Sequence, residues 1–140
     1  MTLDLSSLEK AINTLSASIH VAQNSTFMAQ LGIPEKNTIQ AGVIQRFEFT
    51  YELSWKFIQR WIRANKTPED AEPRTRKDLF RMAARFNLIA NPNAWFIYSE
   101  ARNITAHTYD QSTADKVFNV AIQFLPDAQA LLKNLELMND

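Results

Sequence analysis

The segment Glu100–Asp110 holds the side chains best suited to chemistry, with Arg102, Asn103, His107 and Tyr109 close together in a chain of 140 residues. A guanidinium binds and neutralises phosphate oxygens, and an imidazole transfers a proton near neutral pH. These residue types so close together therefore indicate phosphate chemistry. The alternative is structural, because basic side chains also favour the last turn of a helix, where they would only cap it.

A helical conformation would decide which of these side chains face each other. Asn103 and His107 would lie four residues apart on one face of the helix, and Arg102 and Tyr109 would share a second stripe. Arg102 and His107 would be separated by about 140° around the axis, which brings them near each other without aligning them. Tyr109 comes next to an expected turn, so its hydroxyl is predicted to be reachable.

The pattern Arg102, four residues, His107, one residue, Tyr109 resembles the signature of HEPN (higher eukaryotes and prokaryotes nucleotide-binding) domains, many of which are metal-independent ribonucleases. The segment 41–56, AGVIQRFEFTYELSWK, resembles a narrower subgroup, the nucleotidyltransferase substrate-binding proteins. Members of that subgroup are typically encoded beside a minimal nucleotidyltransferase. The resemblance extends over most of the chain.

This resemblance implies an endoribonuclease that uses no metal and leaves 2′,3′-cyclic phosphate ends. His107 would act as general base on an RNA 2′-hydroxyl or as general acid for the leaving 5′-oxygen. Arg102 would stabilise the charge that develops on phosphorus, and Asn103 would orient the histidine or the phosphate. Because one histidine serves two proton transfers poorly, a two-fold dimer that joins two copies of the segment, or a higher oligomer, is expected.

The resemblance also implies a partner. In toxin–antitoxin pairs of this kind, the nucleotidyltransferase antitoxin adds AMP to the tyrosine of the motif, here Tyr109, and silences the ribonuclease. Bulky negative charge two residues from His107 would indeed repel RNA phosphate. A second reading makes the chain a non-catalytic module that presents a nucleotide or Tyr109 to the nucleotidyltransferase. A third makes it an ordinary helical oligomerisation domain.

Composition limits the other possibilities. A single domain spanning residues 1–140 is expected, with 46% hydrophobic residues to form its core. The chain has no cysteine and only His20 besides His107, so no metal site and no cofactor are expected. Neither a signal peptide nor a membrane-spanning stretch is predicted, which favours a cytoplasmic protein.

The net charge is zero, but its distribution is uneven. Nine basic and four acidic residues between Lys56 and Arg85 give this region a charge of +5, so the remainder carries −5. Two helical stripes are predicted to bind RNA or an acidic partner, although a solvated helix face is the more common use of such charges. Their members are Lys56, Arg60 and Arg63, and Lys77, Arg81 and Arg85.

Apolar spacing predicts an all-α fold, an up-and-down antiparallel bundle of four to five helices with the site at one end. The predicted helices are 6–30, opened by a Ser6–Glu9 capping box, then 37–65, 75–86 and 94–107, and a last one from Ser112, in which Pro126 is expected to cause a kink after about Ile122.

The second predicted helix is apolar around much of its circumference, Phe49 included, so it is expected to be covered on several sides, by neighbouring helices or by a second subunit. Glu48 and Glu52 lie four residues apart on it and would repel each other unless a cation separates them. Their simplest interpretation is a helix edge at the solvent boundary.

Overall fold

Five helices of ten or more residues and three short helical segments make up the described part of the chain. The computed structural model describes residues 2–72 and 75–139. The elements are α1 (Ser6–Ala22), α2 (Ser25–Met28), α3 (Ile33–Asn65), α4 (Pro68–Ala71), α5 (Arg76–Arg85), α6 (Pro92–Asn103), a 3₁₀ turn (Thr105–His107) and α7 (Gln111–Leu137). The all-α prediction is confirmed.

Hydrogen bonds between distant residues establish the helix directions. The Leu3 N–H donates to Asn139 Oδ1 (2.8 Å), so the start of α1 lies at the end of α7 and the two helices are antiparallel. Gln40 contacts Asp115 near the starts of α3 and α7, and the Trp61 indole donates to the Met138 carbonyl near their ends. Helices α3 and α7 are therefore parallel, as the second and fourth members of an up-and-down bundle of α1, α3, α6 and α7 must be.

The core lies between α3 and the helices around it. Phe47, Tyr51, Trp95, Tyr98 and Phe124 form a cluster of edge-to-face and tilted aromatic pairs, with Phe47 and Phe124 ring centroids 5.2 Å apart. All five side chains are buried. The predicted stripe of the first helix and the main stripe of α3 both face this core.

The first helix is shorter than predicted. It ends at Ala22, and Asn24 Oδ1 then accepts the Phe27 N–H (3.0 Å) to cap the separate turn α2. Its start at Ser6 is confirmed, but the expected capping box is not formed. Asp4 Oδ1 accepts the Ser6 N–H instead (3.0 Å).

Other helix ends differ from the prediction by only a few residues, because any nearby Ser, Thr, Asn or Asp can cap. Thr75 and Asn91 cap α5 and α6. Asp110, rather than Ser112, caps α7. Helix α7 continues through Pro126 to Leu137.

Two further expectations need correction. Phe49 does not extend the buried face of α3, since 62% of it is exposed. The loop predicted at 66–73 contains the single turn α4, capped by Thr67, whereas Pro73 lies outside the described residues. In the ranges described, no helix combines the length and apolarity needed to cross a membrane.

Candidate functional site at the end of helix α6

Arg102 lies in the last turn of α6 and forms the centre of an ion-pair cluster. Its Nε donates to Glu52 Oε1 at 3.1 Å, and its Nη1 lies 3.4 Å from Glu48 Oε2. Nη1 also donates to the Thr105 hydroxyl at 3.1 Å. Each of the three charged side chains is about one-third exposed, so this cluster is open to solvent on one side.

The two glutamates come from the middle of α3, one turn apart. Their like charges would repel each other in an isolated helix, and the guanidinium of Arg102 between them removes that repulsion. Glu52 is fixed further, because its Oε2 accepts the Trp55 indole N–H at 2.8 Å. The sequence predicts that Glu48 and Glu52 need a cation between them. Arg102, fifty positions after Glu52, is that cation.

The chain leaves the α-helix directly after Asn103, which corrects the predicted helix 94–107. The Thr105 hydroxyl donates to the Arg102 carbonyl (2.8 Å) and the Thr108 hydroxyl to the Thr105 carbonyl (3.0 Å). Thr105 is only 8% exposed. These bonds satisfy carbonyls that a continuing helix would have used, and the backbone tightens into a 3₁₀ turn.

The early helix end changes the relative positions of the motif residues. Asn103 and His107 do not lie one above the other on a helix face, and Arg102 and Tyr109 do not share a stripe. Asn103 is exposed at the last position of α6, and within 2–72 and 75–139 no hydrogen bond joins it to His107. Its role in orienting the histidine or a phosphate stays a prediction.

His107 is presented to solvent at the end of the 3₁₀ turn. Its backbone is tied down at both groups, with its N–H donating to the Ile104 carbonyl (3.0 Å) and its carbonyl accepting from the Asp110 N–H (3.2 Å). Its ring meets the Tyr109 ring edge-on, with centroids 6.1 Å apart. The imidazole is therefore held on a fixed backbone and can reach an incoming substrate.

Tyr109 is 87% exposed, the most exposed of the large hydrophobic and aromatic side chains in the described ranges. The prediction that its hydroxyl is reachable is confirmed. Directly after it, Asp110 Oδ2 accepts hydrogen bonds from Ser112 Oγ (2.7 Å), Thr113 N–H (3.1 Å) and Thr113 Oγ1 (2.9 Å). These hydrogen bonds lower the pKa of the Asp110 carboxyl, and the bond from Ser112 has the largest effect. Asp110 thus anchors α7.

Two buried tyrosines, Tyr51 of α3 and Tyr98 of α6, hold the helices that carry the site in place. The Tyr51 and Ser99 hydroxyls are 2.5 Å apart, which joins α3 to α6 next to Glu52. Burial raises the pKa of Tyr51, and burial together with the hydrogen bond to Asp127 raises the pKa of Tyr98 well above its usual range. Both hydroxyls therefore remain protonated, and their hydrogen bonds hold α6, which carries Arg102, against α3 and α7.

The two predicted basic stripes are exposed, and several of their members already have contacts. Arg63 pairs with Glu72 (2.8 Å), Arg81 pairs with Asp78 (3.0 Å), and Arg60 lies 4.8 Å above the Phe57 ring. Lys77 lies 5.4 Å above the Phe96 ring, Lys56 lies 5.7 Å above the Trp55 ring, and Arg85 contacts the sulfur of Met82. Arg74, which belongs to the same basic region, lies outside the described residues.

Arg76 is the cation that connects these stripes to the site. Its guanidinium lies 3.4 Å from the centre of the Trp55 ring, the same indole that donates to Glu52. A continuous row of contacts thus runs from Arg102 through Glu52 and Trp55 to the start of α5. Sequence reasoning did not place Glu48, Glu52, Trp55 and Arg76 in the site. The spacing of the two glutamates was the available signal.

Among the described residues, no group of three or more His, Cys, Asp and Glu side chains is arranged to hold a metal ion. What the geometry does offer is a fixed guanidinium, an exposed imidazole and an exposed phenol at the end of one helix.

Comparison with known proteins identifies the group to which this arrangement belongs. The family model for "nucleotidyltransferase substrate binding protein like" proteins matches residues 3–137. The chain belongs to this family. The sequence-based family assignment is therefore confirmed over nearly the whole chain.

Two matches from Haemophilus influenzae, one a curated sequence and one a solved structure, illustrate the likeness. A curated protein named probable ribonuclease HepT is 36% identical over 139 residues, which is 98% of this chain and 94% of that protein. The solved structure of HI0074 matches with a TM-score of 0.91 and 34% identity, covering 95% of this chain and 99% of that one. It is described as the fold of a substrate-binding domain of a nucleotidyltransferase.

A more distant likeness shows that the fold persists when the sequence diverges. A crystal structure of a protein from Thermus thermophilus matches with a TM-score of 0.64 and 26% identity, covering 94% of this chain and 97% of that one.

Proposed function

We propose that the chain is a HEPN toxin that cleaves RNA without a metal ion. The observation that carries the proposal is the placement of an exposed imidazole one 3₁₀ turn beyond an arginine that two glutamates hold in place. The probable ribonuclease HepT, 36% identical, supports the same activity.

In the proposed reaction the 2′-oxygen of RNA attacks the adjacent phosphorus, and the bond from phosphorus to the 5′-oxygen breaks. His107 of one subunit takes the 2′-hydroxyl proton, and His107 of a second subunit donates a proton to the leaving 5′-oxygen. Arg102 stabilises the additional negative charge on the phosphorus oxygens, and Asn103 donates to one of them. The products are a 2′,3′-cyclic phosphate and a 5′-hydroxyl.

The guanidinium of Arg102 has a suitable orientation for this role. Glu52 engages Nε, and Glu48 and Thr105 engage Nη1. Among the described residues no hydrogen bond or ion pair involves Nη2, so its two N–H groups are left for a phosphate. The carboxylates also fix the side chain before substrate arrives, which lowers the ordering cost of the transition state.

A partner nucleotidyltransferase is proposed to silence the enzyme at Tyr109. The phenol oxygen would attack the α-phosphorus of ATP, pyrophosphate would leave, and the phenol proton would pass to solvent. With 87% of Tyr109 exposed, a second protein can reach it. The attached AMP would place a phosphate beside the His107 ring, where it repels RNA and blocks access.

A second candidate function is a non-catalytic subunit that binds a nucleotide or substrate for the nucleotidyltransferase. HI0074, described as a substrate-binding domain, favours it.

One experiment with two readouts separates the two functions. Single-turnover cleavage of RNA is measured with a chelator present, before and after incubation with the partner nucleotidyltransferase and ATP, and intact mass is measured in parallel. The ribonuclease proposal expects cleavage that His107→Ala abolishes, and a mass gain of one or more AMP units that Tyr109→Phe prevents and that stops cleavage. A mass gain without cleavage in either state would establish the binding subunit instead. Cleavage that survives His107→Ala would refute the assignment of the base.

A further inference from the structure

A polar cleft lies between the first half of α3 and the start of α7, and Glu48, which pairs with Arg102, is one of its lining residues. Its volume is about 350 Å³. Ala41, Ile44 and Ala114 form an apolar floor, and Tyr109 forms part of the wall. We call this space, surrounded by the carboxamides of Asn37, Gln40, Gln45 and Gln111, the amide cleft.

Two of the four carboxamides are already oriented. Gln40 Nε2 and Gln111 Nε2 both donate to Asp115 Oδ1 at 2.8 Å, and Gln111 Nε2 also donates to Gln40 Oε1 at 3.1 Å. The Gln111 oxygen and the carboxamides of Asn37 and Gln45 then offer acceptors and donors toward the cleft. Such mixed donors and acceptors match the edge of a nucleobase, as Asn and Gln match adenine.

The electrostatics of the amide cleft exclude a phosphate. Its lining, in the part of the chain that the structure describes, includes no Lys, Arg or His, and it does include the carboxylate of Glu48. Asp115, which accepts from Gln40 and Gln111, places a second carboxylate next to the cleft, and these hydrogen bonds lower its pKa. A neutral, flat ring with polar edges fits this environment, whereas a phosphate would be repelled.

We propose that the amide cleft binds a nucleobase, with its ring on the Ala41, Ile44 and Ala114 floor and its polar edge on the carboxamides. This inference rests on the proposed function in one respect, that nucleotides or RNA approach this end of α6. Glu48 is shared by the cleft and the Arg102 cluster. A base in the cleft therefore leaves its ribose and phosphate at the boundary next to Arg102 and Tyr109, which is where a phosphate is needed.

The test uses adenosine, which lacks phosphate, and follows the backbone and side-chain amide signals of the whole chain by NMR. Adenosine is expected to shift the signals of Gln40, Gln45 and Gln111, and inorganic phosphate is expected to leave them unchanged. The variant Asn37→Leu/Gln45→Leu should weaken adenosine binding about tenfold, since two neutral hydrogen bonds are removed. Gln129→Leu, the same change on an exposed part of α7, should leave binding unaltered.

Three results would overturn the proposal: no saturable adenosine shift in the cleft, equal affinity in the double variant, or displacement of adenosine by phosphate alone. Because neither RNA cleavage nor nucleotide transfer is needed, a failure of the proposed function and a failure of the cleft are observed separately. Repeating the titration on chain carrying AMP at Tyr109 identifies the source of the base. Loss of adenosine binding would show that the base of the attached AMP occupies the cleft. Unchanged binding would assign the cleft to a base of RNA. Both results require that the cleft binds a nucleobase.

Discussion

Arg102 has two functions that mutation can separate, one in the fold and one in the chemistry. The guanidinium neutralises Glu48 and Glu52, each about one-third exposed and one turn apart. His107 has no comparable structural duty, because its side chain is exposed and takes part in no ion pair among the described residues; its ring pairs with the exposed ring of Tyr109. Loss of activity in an Arg102 variant therefore needs a stability measurement beside it.

We expect Arg102→Ala to lower the free energy of unfolding by about 1 kcal/mol at low ionic strength, since two carboxylates are left facing each other. Added salt should reduce that loss by screening the repulsion. His107→Ala should stay within about 0.5 kcal/mol of the parent chain. Urea unfolding at two salt concentrations measures both variants. Equal stability of the two would show that the ion-pair cluster contributes nothing to the fold.

Glu52 positions Arg102, so its removal should lower turnover without weakening the binding of RNA. In Glu52→Gln the guanidinium loses a charged partner and becomes less ordered, which should reduce kcat about tenfold or more. The same change removes a negative charge next to the phosphate site, so KM for RNA should fall or stay constant.

The exposed α7 variant Glu136→Gln, with the same change in charge, is the control and should alter neither parameter. A Glu52→Gln enzyme with unchanged kcat would contradict the positioning role. An increase in KM would assign Glu52 to substrate binding instead.

At the scale of elements, the sequence predicts helices better than it predicts their ends. The apolar stripes of α1, α3 and α7 follow from spacing alone, since each keeps one face on the core. The end of α6 cannot be predicted from spacing, because Ile104, Thr105 and Ala106 are compatible with a continuing helix. The Thr105 hydroxyl bonds that favour the 3₁₀ turn require tertiary burial of Thr105, which no local pattern reveals.

The same limit applies to the candidate site. The motif at 102–109 is readable because its residues are near each other in sequence. Glu48 and Glu52 join Arg102 only through the packing of α3 against α6, at a separation of about fifty residues. Phe49 shows the opposite error, because an apolar side chain in a helical pattern does not have to face the core of its own chain.

The cap at Asp110 connects the motif to α7 and gives a prediction at this scale. The hydrogen bonds from Ser112 and Thr113 lower the pKa of the Asp110 carboxyl in the folded chain, so this carboxylate stabilises the fold above its unfolded pKa of about 4. That contribution is lost as the pH falls through the lowered value. Asp110→Ala should therefore unfold at a lower temperature than the parent chain at pH 7, with a smaller difference near pH 3.

Thermal unfolding followed by circular dichroism at both pH values provides the measurement. A difference that is constant with pH would mean that the charge of Asp110 contributes nothing beyond its neutral hydrogen bonds.

For the whole molecule, assembly into dimers is the first prediction. Phe49 exposes 62% of its surface on α3, and one histidine per chain serves two proton transfers poorly. Light scattering at micromolar concentration should give twice the chain mass of 16.1 kDa. Cleavage per chain should then fall on dilution below the dimer dissociation constant. A monomer with undiminished activity would remove the site with two histidines.

The second prediction at this scale concerns the uneven charge of the molecule. Replacing Lys56, Arg60 and Arg63 by alanine, or Lys77, Arg81 and Arg85, should weaken binding to all RNA sequences alike, because phosphate contacts carry no sequence information. The slope of log affinity against log salt should decrease by about 0.7 for each phosphate of a single strand that is no longer neutralised. The α5 set should have the larger effect, since Lys77 and Arg81 lie on the Phe96 ring of α6, the helix that carries Arg102.

A matched control distinguishes a binding surface from bulk charge. Replacing Lys10, Lys116 and Lys133 by alanine removes the same three charges from α1 and α7. If this control changes the salt slope as much as either stripe does, net charge alone governs RNA affinity. If only the α5 variant flattens the slope, the RNA path crosses α5 toward Arg102, and the contacts from Arg76 through Trp55 and Glu52 lie along it.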